Sequence, residues 1–362
     1  MAREESPPLR RGWTTGACAA AASRAAFSAM LTGRFPDPVA IRLPRGGSAA
    51  FPLALAELSG IGARAGVVKD AGDDPDITHG ALIIAETAWT APGSGIGFAA
   101  GEGVGTVTRA GLSLAIGEPA INPAPRALIR DVLIEAAAEI GVPPPDVTVK
   151  ITIPGGGRLA EKTMNARLGI VGGLSILGTT GIVVPYSCAS WIHSIHRGID
   201  VARAAGLDHI AAATGATSER AVQRLYGLPD HALIDMGDFV GGTLKYLRRH
   251  PVERLTIAGG FAKLAKLAAG HLDLHSARSR IDTAWLAGML RELGAEPAIL
   301  ATARTANGAA EIFGVAGELR ARLACAIAGR AREVALATMC GNTAVEVAIV
   351  DRQGSFLARV GA

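Results

Sequence analysis

Hydrophobic and polar positions up to residue 154 predict an irregular mixture of helices and strands. Small apolar residues fill 17–31 directly after Thr14–Gly16, which predicts a capped helix. A second, amphipathic helix is predicted over 126–141, where Gly141 and the prolines at 143–145 end it. Short alternating segments predict strands at 39–43, 50–55, 65–70, 80–89, twice within 93–108, and at 147–154.

The second half of the chain repeats a strand, a glycine-containing turn and a helix. This order is found at 210–227, 232–250 and 254–270, it predicts a fourth unit at 296–313, and 334–360 alternates again. Strands that alternate with helices indicate a mainly parallel sheet. We therefore predict an irregular α+β domain over 1–145 and an α/β domain over 146–362, with the proline run as the linker. A return of the C-terminal strands to the first domain is left open.

Composition narrows the class of protein. Hydrophobic residues make up 49% of the chain, which supplies a sizeable core, and no apolar run reaches the length of a membrane span. The N-terminal stretch MAREESPPLRRG has no apolar signal core, so a cytoplasmic protein is expected. The four cysteines lie far apart without a Cys-x-x-Cys pair, so the sequence predicts neither a disulfide framework nor a zinc cluster.

The charge balance favours an acidic small molecule over nucleic acid. The net charge of +4 is mild, and aromatic residues, which would stack on bases, make up only 4% of the chain. A basic balance suits a small anionic ligand equally well. We expect no nucleic-acid or membrane partner and leave a homo-oligomer open.

Glycines cluster at the predicted strand ends of the second half. These are Thr214–Gly215, Met236–Asp238 and Gly259–Gly260, and the segment 168–183 adds Gly172 and Gly173. In an open parallel sheet, ligands bind beyond the carboxyl ends of the strands, where glycines allow a nucleotide or adenosyl group to approach the backbone. The alternative is that these are ordinary turn and cap glycines of an α/β protein.

Three further motifs are weaker signals. GEGVG at 101–105 resembles a nucleotide-binding turn, but no helix is predicted after it, and no P-loop motif is present. The acidic segment 68–80 indicates a polar cleft wall, a cation site, contacts to a positive sulfonium and a ribose, or simply a solvated loop. His271, Asp273 and His275 would share one face if extended, but a fourth metal ligand is missing nearby, so no metal is predicted.

Seven segments together resemble the CbiD family, the cobalt-precorrin-5B C(1)-methyltransferases. They run in the family's order from about residue 9 to 354 and are LRRGWTTGACAAAA, VKDAGDDPDITHGA, GEGVGTVT, GEPAINPAPR, LGIVGGLSILGTTGIVVPYS, GGTLKYLRRHPVERLTIAGGFAKLAKLAAGHLDLHS and CGNTAVEV. The resemblance implies methyl transfer from S-adenosylmethionine to C1 of a cobalt-containing tetrapyrrole in anaerobic cobalamin biosynthesis, giving cobalt-precorrin-6A. It implies cobalt only as part of the substrate, and a first domain like domain 2 of ribosomal protein S5. It assigns no catalytic residue.

Physical reasoning supplies candidates for the two ligands. Carboxylates of the tetrapyrrole require cations, and the predicted substrate-binding residues are Arg126, Lys245, Arg248 and Lys263. An adenosyl ligand requires a carboxylate for its ribose and close backbone approach. The predicted cofactor-binding residues are Asp70, Glu102, Gly172, Gly173, Thr179, Asp238, Gly259 and Gly260, with Asn122 and Asn342 as further polar candidates. Arg248 is equally well explained as a surface cation at a helix C-terminus.

Two other classes of function are kept as alternatives. One is a nucleotide-dependent enzyme of another class that uses the glycine-rich edge, and the other is a non-catalytic tetrapyrrole carrier. Valine at Gly173 or Gly259 is expected to abolish binding of S-adenosylhomocysteine while the chain still folds.

Overall fold

A computed structural model describes residues 8–361; most of the N-terminal stretch considered above, residues 1–7, lies outside the described residues. The chain divides into two compact units, Met1–Cys188 and Ala189–Ala362. The boundary therefore differs from the predicted one after residue 145. The reason is strand pairing, since the strand that follows the proline run belongs to the sheet of unit 1.

Unit 1 is a mixed α+β structure. Its helices are α1 (Thr15–Thr32), α2 (Pro123–Ile140) and α3 (Gly156–Ala160). Its strands are β1 (Gly12–Trp13), β2 (Val39–Arg42), β3 (Ser48–Phe51), β4 (Leu55–Ser59), β5 (Gly62–Val68), β6 (Leu82–Trp89), β7 (Ile96–Ala100), β8 (Gly103–Val104), β9 (Thr106–Val107), β10 (Val147–Thr152), β11 (Ile170–Val171), β12 (Gly173–Leu174) and β13 (Ile182–Val183).

The main sheet of unit 1 has the order β4-β5-β6-β10-β7. β10 runs antiparallel to β6 and parallel to β7, and its residues alternate between buried and half-buried. α1 packs against β5, β6 and α2. Thr14 caps α1 by accepting from the backbone N–H of Ala17 at 3.2 Å, and Gly33 ends the helix in the left-handed conformation. The predicted capped alanine-rich helix is thus confirmed.

Unit 2 is an α/β structure. Its helices are α4 (Cys188–Ala204), which begins at the last residue of unit 1, α5 (Ala216–Tyr226), α6 (Val240–Leu247), α7 (Phe261–Ala268), α8 (Thr283–Glu292), α9 (Pro297–Thr305), α10 (Ala309–Val315) and α11 (Arg320–Met339). Its strands are β14 (His209–Ala213), β15 (Leu233–Asp235), β16 (Arg254–Gly259), β17 (Ala344–Val350) and β18 (Phe356–Val360).

The sheet of unit 2 confirms the predicted mainly parallel arrangement. Its order is β15-β14-β16-β17-β18, and every pair is parallel except β17 with β18. A small core under α5 covers one face, and a large core under α4, α6, α7 and α11 covers the other. Both C-terminal strands pair within unit 2, so the alternative in which they return to the first domain is wrong.

The predicted fourth strand–helix unit at 296–313 is wrong. This stretch forms the helices α9 and α10. Pro297 opens α9 at a position where its missing N–H costs nothing, and the alanines that follow favour helix over strand. Among residues 8–361, no helix combines the length and the apolar character that crossing a membrane requires.

Candidate functional site

The parallel strands of unit 2 bring several predicted residues together at one edge of the sheet. β14, β15 and β16 end side by side, and the residues that follow them form what we call the carboxyl edge: residues 214–215, 236–238 and 259–263. Of the predicted site residues, Asp238, Gly259, Gly260 and Lys263 lie here. The sequence prediction of a glycine-rich strand edge is therefore confirmed for unit 2.

Two helices begin at the carboxyl edge without a capping side chain. Gly215 precedes α5 and Gly260 precedes α7, and neither N-cap makes a side-chain hydrogen bond. Both glycines are exposed, and a Cβ added to either would meet nothing within 4 Å. The space beside these two N-caps is therefore open, and the partial positive charge of a helix N-terminus there suits a carboxylate or another anion.

Asp238 and Lys263 form an ion pair at this edge. Lys263 Nζ lies 2.9 Å from Asp238 Oδ1 and donates to the carbonyl of Thr214 at 3.2 Å. Asp238 Oδ1 is itself buried, and among the described residues no donor meets it at hydrogen-bond angles. Both side chains are partly exposed, at 22% for Asp238 and 38% for Lys263. Solvent therefore reaches part of each side chain, although Asp238 Oδ1 itself is buried.

Gly259 is required by the protein itself. A Cβ at this position would lie 2.6 Å from the Thr214 side-chain oxygen and 3.3 Å from Leu264. The space beside Gly259 is thus filled by Thr214, at the end of the neighbouring strand β14, and by Leu264 of α7. Packing within the protein therefore accounts for the missing side chain, and contact of Gly259 with the cofactor stays a prediction.

Trp191 borders the carboxyl edge and was missed by the sequence analysis. Its ring atoms lie 3.4–3.5 Å from the position of a Cβ on Gly237, and its Nε1 donates to the carbonyl of Asp235 at 3.1 Å. The side chain is nevertheless 47% exposed. Its sequence signal was a single large aromatic residue in the polar helix α4, a segment for which the periodicity gave no prediction.

Arg248 and Asn342 lie at the opposite, amino edge of the same sheet. Both line a cavity of about 590 Å³ with Asp208, Glu253 and Thr343, residues that immediately precede β14, β16 and β17. Lys245 is exposed in the last turn of α6, where a cation is favoured by the helix dipole. The three predicted cations of this segment therefore do not share one cleft, since Lys263 lies at the carboxyl edge.

A buried carboxylate on the sheet belongs to neither edge site. Glu346 is 1% exposed and accepts hydrogen bonds from Tyr226, Thr256 and Arg359. Burial raises the pKa of Glu346, but the hydrogen bonds from these donors outweigh it and leave the pKa below its usual value. Both oxygens of Glu346 accept from donors of the same unit, and these donors lie on α5, β16 and β18. The network therefore links these three elements to β17.

Unit 1 brings Glu102 and Gly172–Gly173 together. β8 and β12 pair in parallel, with Gly103 opposite Gly173, and Glu102 is exposed beside them. A Cβ on Gly173 would lie 2.3 Å from the Gly103 backbone. Gly173 therefore permits two backbones to approach, and its contact with the cofactor stays a prediction. Gly172 is exposed, and its φ of 87° favours glycine.

The acidic loop, defined as residues 68–80, holds the N-terminal segment of the chain. Arg10 donates to both carboxylate oxygens of Asp70, and its backbone N–H donates to Asp73. The hydrogen bond from Arg10, with a backbone hydrogen bond from Gly72, lowers the pKa of Asp70 to about 2. Asp74 accepts from the backbone N–H of Tyr186 at 2.8 Å. The predicted cofactor contact through Asp70 is not supported, because these groups already occupy the carboxylate.

Lys69 anchors the acidic loop from inside. Its side chain is 1% exposed and donates to Asp76 and, at 2.7 Å, to Thr78. Asp76 in turn accepts from the backbone N–H of Thr78 at 2.8 Å. These contacts favour the charged form of Asp76 and outweigh the opposing effect of burial, so its pKa lies below the usual value.

Arg126 also serves the fold. Its guanidinium donates to the carbonyls of Ile121 and Pro119 and lies 3.1 Å from Glu118, and the residue is only 14% exposed. It therefore fastens the loop before α2, and a role in binding a substrate carboxylate is not supported. Asn122 precedes α2 without a side-chain cap, and Thr179 is exposed next to Gly178, which contacts Thr14.

The His271–His275 segment is folded on itself. Asp273 accepts from Arg278 at 2.7 Å and from the backbone N–H of His275 at 3.0 Å, and His275 Nδ1 accepts from Ala277. Within the part of the chain that the structure describes, no three His, Cys, Asp or Glu side chains come together as a metal site would require.

Family models match both parts of the chain. The model described as CbiD matches residues 2–185, and the model described as CbiD, C-terminal domain, matches residues 273–361.

Three curated proteins named cobalt-precorrin-5B C(1)-methyltransferase are similar over nearly the whole chain. The protein of Bradyrhizobium sp. is 59% identical and covers 97% of this chain and 94% of its own length. That of Paramagnetospirillum magneticum is 56% identical, with 98% of each chain covered. That of Brucella anthropi is 55% identical, covering 99% and 97%. A crystal structure of a cobalamin biosynthesis protein (cbiD) from Archaeoglobus fulgidus is 29% identical, with a TM-score of 0.40, covering 75% of this chain and 83% of that one.

Proposed function

Since this chain belongs to the CbiD family, we propose that it is an enzyme, a methyltransferase of cobalamin biosynthesis that methylates C1 of cobalt-precorrin-5B to give cobalt-precorrin-6A. The proposed methyl donor is S-adenosylmethionine, and cobalt enters only as part of the substrate. The observation that carries the proposal is the sequence identity of 55–59% to proteins named cobalt-precorrin-5B C(1)-methyltransferase over nearly the full chain.

The carboxyl edge of unit 2 fits the proposed methyl donor. S-adenosylmethionine carries a ribose diol and an amino acid carboxylate. Asp238 would accept from the ribose hydroxyls through Oδ2, because its Oδ1 is buried against Lys263 while the side chain as a whole is 22% exposed. The uncapped N-termini of α5 and α7, with the ammonium of Lys263, suit the carboxylate. Glu102, Gly172 and Thr179 lie in unit 1 and stay predictions for the cofactor.

The chemistry requires orientation more than a protein nucleophile. S-adenosylmethionine supplies an electrophilic methyl group, and the attacking atom is a carbon of the electron-rich macrocycle. The residues of the carboxyl edge would hold the methyl donor by its ribose and its amino acid carboxylate and leave its methyl group open to the macrocycle. Holding two reactants in line removes much of the entropic barrier of a bimolecular step, about 7–11 kcal/mol in favourable intramolecular cases.

The carboxylates of the macrocycle would be met by cations that have no role in the fold. Lys245 and Arg248 are exposed and stay predictions for this role. Lys263 is shared with Asp238, so we propose that it serves the methyl donor. We further propose that unit 1 has a fold like domain 2 of ribosomal protein S5; its five-stranded mixed sheet, with α1 packed on β5 and β6, is compatible with that fold.

A methyl-transfer assay tests the proposal. The purified chain is incubated with methyl-labelled S-adenosylmethionine and enzymatically prepared cobalt-precorrin-5B, with and without EDTA. We expect a labelled tetrapyrrole whose mass corresponds to one added methyl group, and equal yields in both samples. Binding of the tetrapyrrole without transfer, and without binding of S-adenosylhomocysteine, would support a carrier and contradict the enzyme.

A further inference from the structure

Trp191 is the one tryptophan of the described residues that adjoins the carboxyl edge. Tryptophan is usually largely buried, yet this side chain is 47% exposed in a polar helix. Its position is nevertheless fixed, because Nε1 donates to the carbonyl of Asp235 and the ring packs on Gly237. A fixed aromatic ring with half of its surface in water has the properties of a stacking platform.

Gly237 brings the ring into the site. Its φ of 55° lies in the left-handed region that favours glycine, and a Cβ here would sit 3.4 Å from the indole. The next residue along the chain is Asp238, whose carboxylate pairs with Lys263 at 2.9 Å. Three groups therefore follow one another: the aromatic ring of Trp191 on α4, the carboxylate of Asp238 in the loop between β15 and α6, and the cation Lys263 in the first turn of α7.

This order matches an adenosyl group better than a macrocycle. An adenosyl group joins a flat base to a ribose diol and then to a zwitterionic amino acid, which call for a stacking surface, a carboxylate and an anion-binding group. A tetrapyrrole with several carboxylates calls for several cations, whereas residues 214–215, 236–238 and 259–263 of the carboxyl edge include a single one, Lys263. We propose that Trp191 is the platform on which the adenine ring of the methyl donor stacks.

The inference rests on the proposed function, and binding measurements on the full chain test it. S-adenosylhomocysteine and adenosine are titrated calorimetrically into the parent, Trp191→Ala, Trp191→Phe and Trp89→Ala. Trp89 is the matched control, since it is 52% exposed but belongs to β6 of unit 1. We expect Trp191→Ala to weaken both ligands by the same factor, about 5- to 100-fold. Trp191→Phe should bind within about 3-fold of the parent, because any aromatic face can stack on the base.

Fluorescence gives a second readout that a loss of folding cannot imitate. In the parent, S-adenosylhomocysteine should quench tryptophan emission, because the base would lie on Trp191. In Trp191→Phe, calorimetry should still detect binding while the quenching disappears, and Trp89→Ala should keep both. If Trp191→Ala fails to fold, the phenylalanine variant decides the question.

The remaining outcomes separate this inference from the proposed function. If the parent binds S-adenosylhomocysteine and Trp191→Ala binds it with the same affinity, the stacking role of Trp191 is wrong, and the proposed methyltransferase is unaffected. A parent that binds neither adenosine nor S-adenosylhomocysteine overturns both. Cobyrinic acid, a cobalt corrinoid with free side-chain carboxylates, is titrated as a third ligand. If Trp191→Ala loses affinity only for this ligand, the ring stacks on the macrocycle and the adenine assignment is wrong.

Discussion

The acidic loop of unit 1 and the carboxyl edge of unit 2 both combine aspartate with glycine, but they use these residues differently. In the loop, Asp70, Asp74 and Asp76 each accept from a fixed donor of the same unit. At the carboxyl edge, Asp238 pairs among the described residues only with Lys263, which is 38% exposed, and two helices begin without a side-chain cap. Polar residues that saturate one another stabilise a fold, whereas unsaturated ones at a strand edge are available to a ligand.

The first prediction tests whether Gly173 serves packing or a ligand, and it carries the largest expected effect. Gly173→Ala should lower the free energy of unfolding by about 3 kcal/mol or more, because the new Cβ would lie 2.3 Å from the Gly103 backbone, which cannot yield. Urea unfolding measures this. Gly157→Ala is the control, since its Cβ would have no neighbour nearer than 3.8 Å. A Gly173→Ala protein of parental stability that no longer binds S-adenosylhomocysteine would support the ligand role.

The second prediction concerns the buried lysine of the acidic loop. Asp76→Asn should cost about 3–5 kcal/mol of stability, because it leaves the ammonium of Lys69 buried without a carboxylate. Affinity for S-adenosylhomocysteine should not change if the loop is structural. Glu57→Gln removes one partner of the exposed pair with Arg64 and should cost less than about 1 kcal/mol. Equal costs in the two variants would show that burial of Lys69 carries no weight.

The third prediction addresses the carboxyl edge, where we expect substitutions to lower the affinity for S-adenosylhomocysteine and to leave the stability nearly unchanged. Asp238→Asn and Lys263→Met should each weaken S-adenosylhomocysteine about 10-fold, as expected for the loss of one charge-assisted hydrogen bond. Stability should change by less than about 1 kcal/mol, because the pair is partly exposed. Arg248→Met at the amino edge is the control and should leave the affinity unchanged. A loss of stability without a loss of affinity would make this pair structural, like those of the acidic loop.

The periodicity of the sequence was sufficient for the elements and the edge of unit 2. Strand–turn–helix repeats imply parallel strands, and parallel strands must end together, so Asp238, Gly259 and Gly260 were correctly expected at one edge. Lys263 was expected with Lys245 and Arg248, and the structure places it at the carboxyl edge instead. The domain boundary was missed for a physical reason. The pattern of β10 shows which side chains are buried, but it carries no information about which strands will pair with it.

The site residues of unit 1 were the harder part to predict. Asp70 and Arg10 lie 60 residues apart, and Arg126 bonds to carbonyls whose direction depends on the local turn. A charged residue in a characteristic motif has the same appearance in the sequence whether it binds a ligand or another part of the chain. Trp191 was missed for the opposite reason, because one aromatic residue in a polar helix forms no pattern.

The last prediction follows the exposed pair of the acidic loop and has the smallest effect. The guanidinium of Arg10 and the backbone N–H of Gly72 hold the pKa of Asp70 at about 2, against about 3.9 for an unfolded chain. A lowered pKa means that the pair stabilises the folded state above about pH 4 and that this contribution disappears as the pH falls towards 2. The gain should be small, because Arg10 and Asp70 are 57% and 44% exposed and solvent screens the pair. A carbon-13 NMR titration of the Asp70 carboxyl should give a midpoint near 2, and Arg10→Met should return it towards 4. A parental midpoint near 4 would mean that this carboxylate is as available to a ligand as the one at the carboxyl edge.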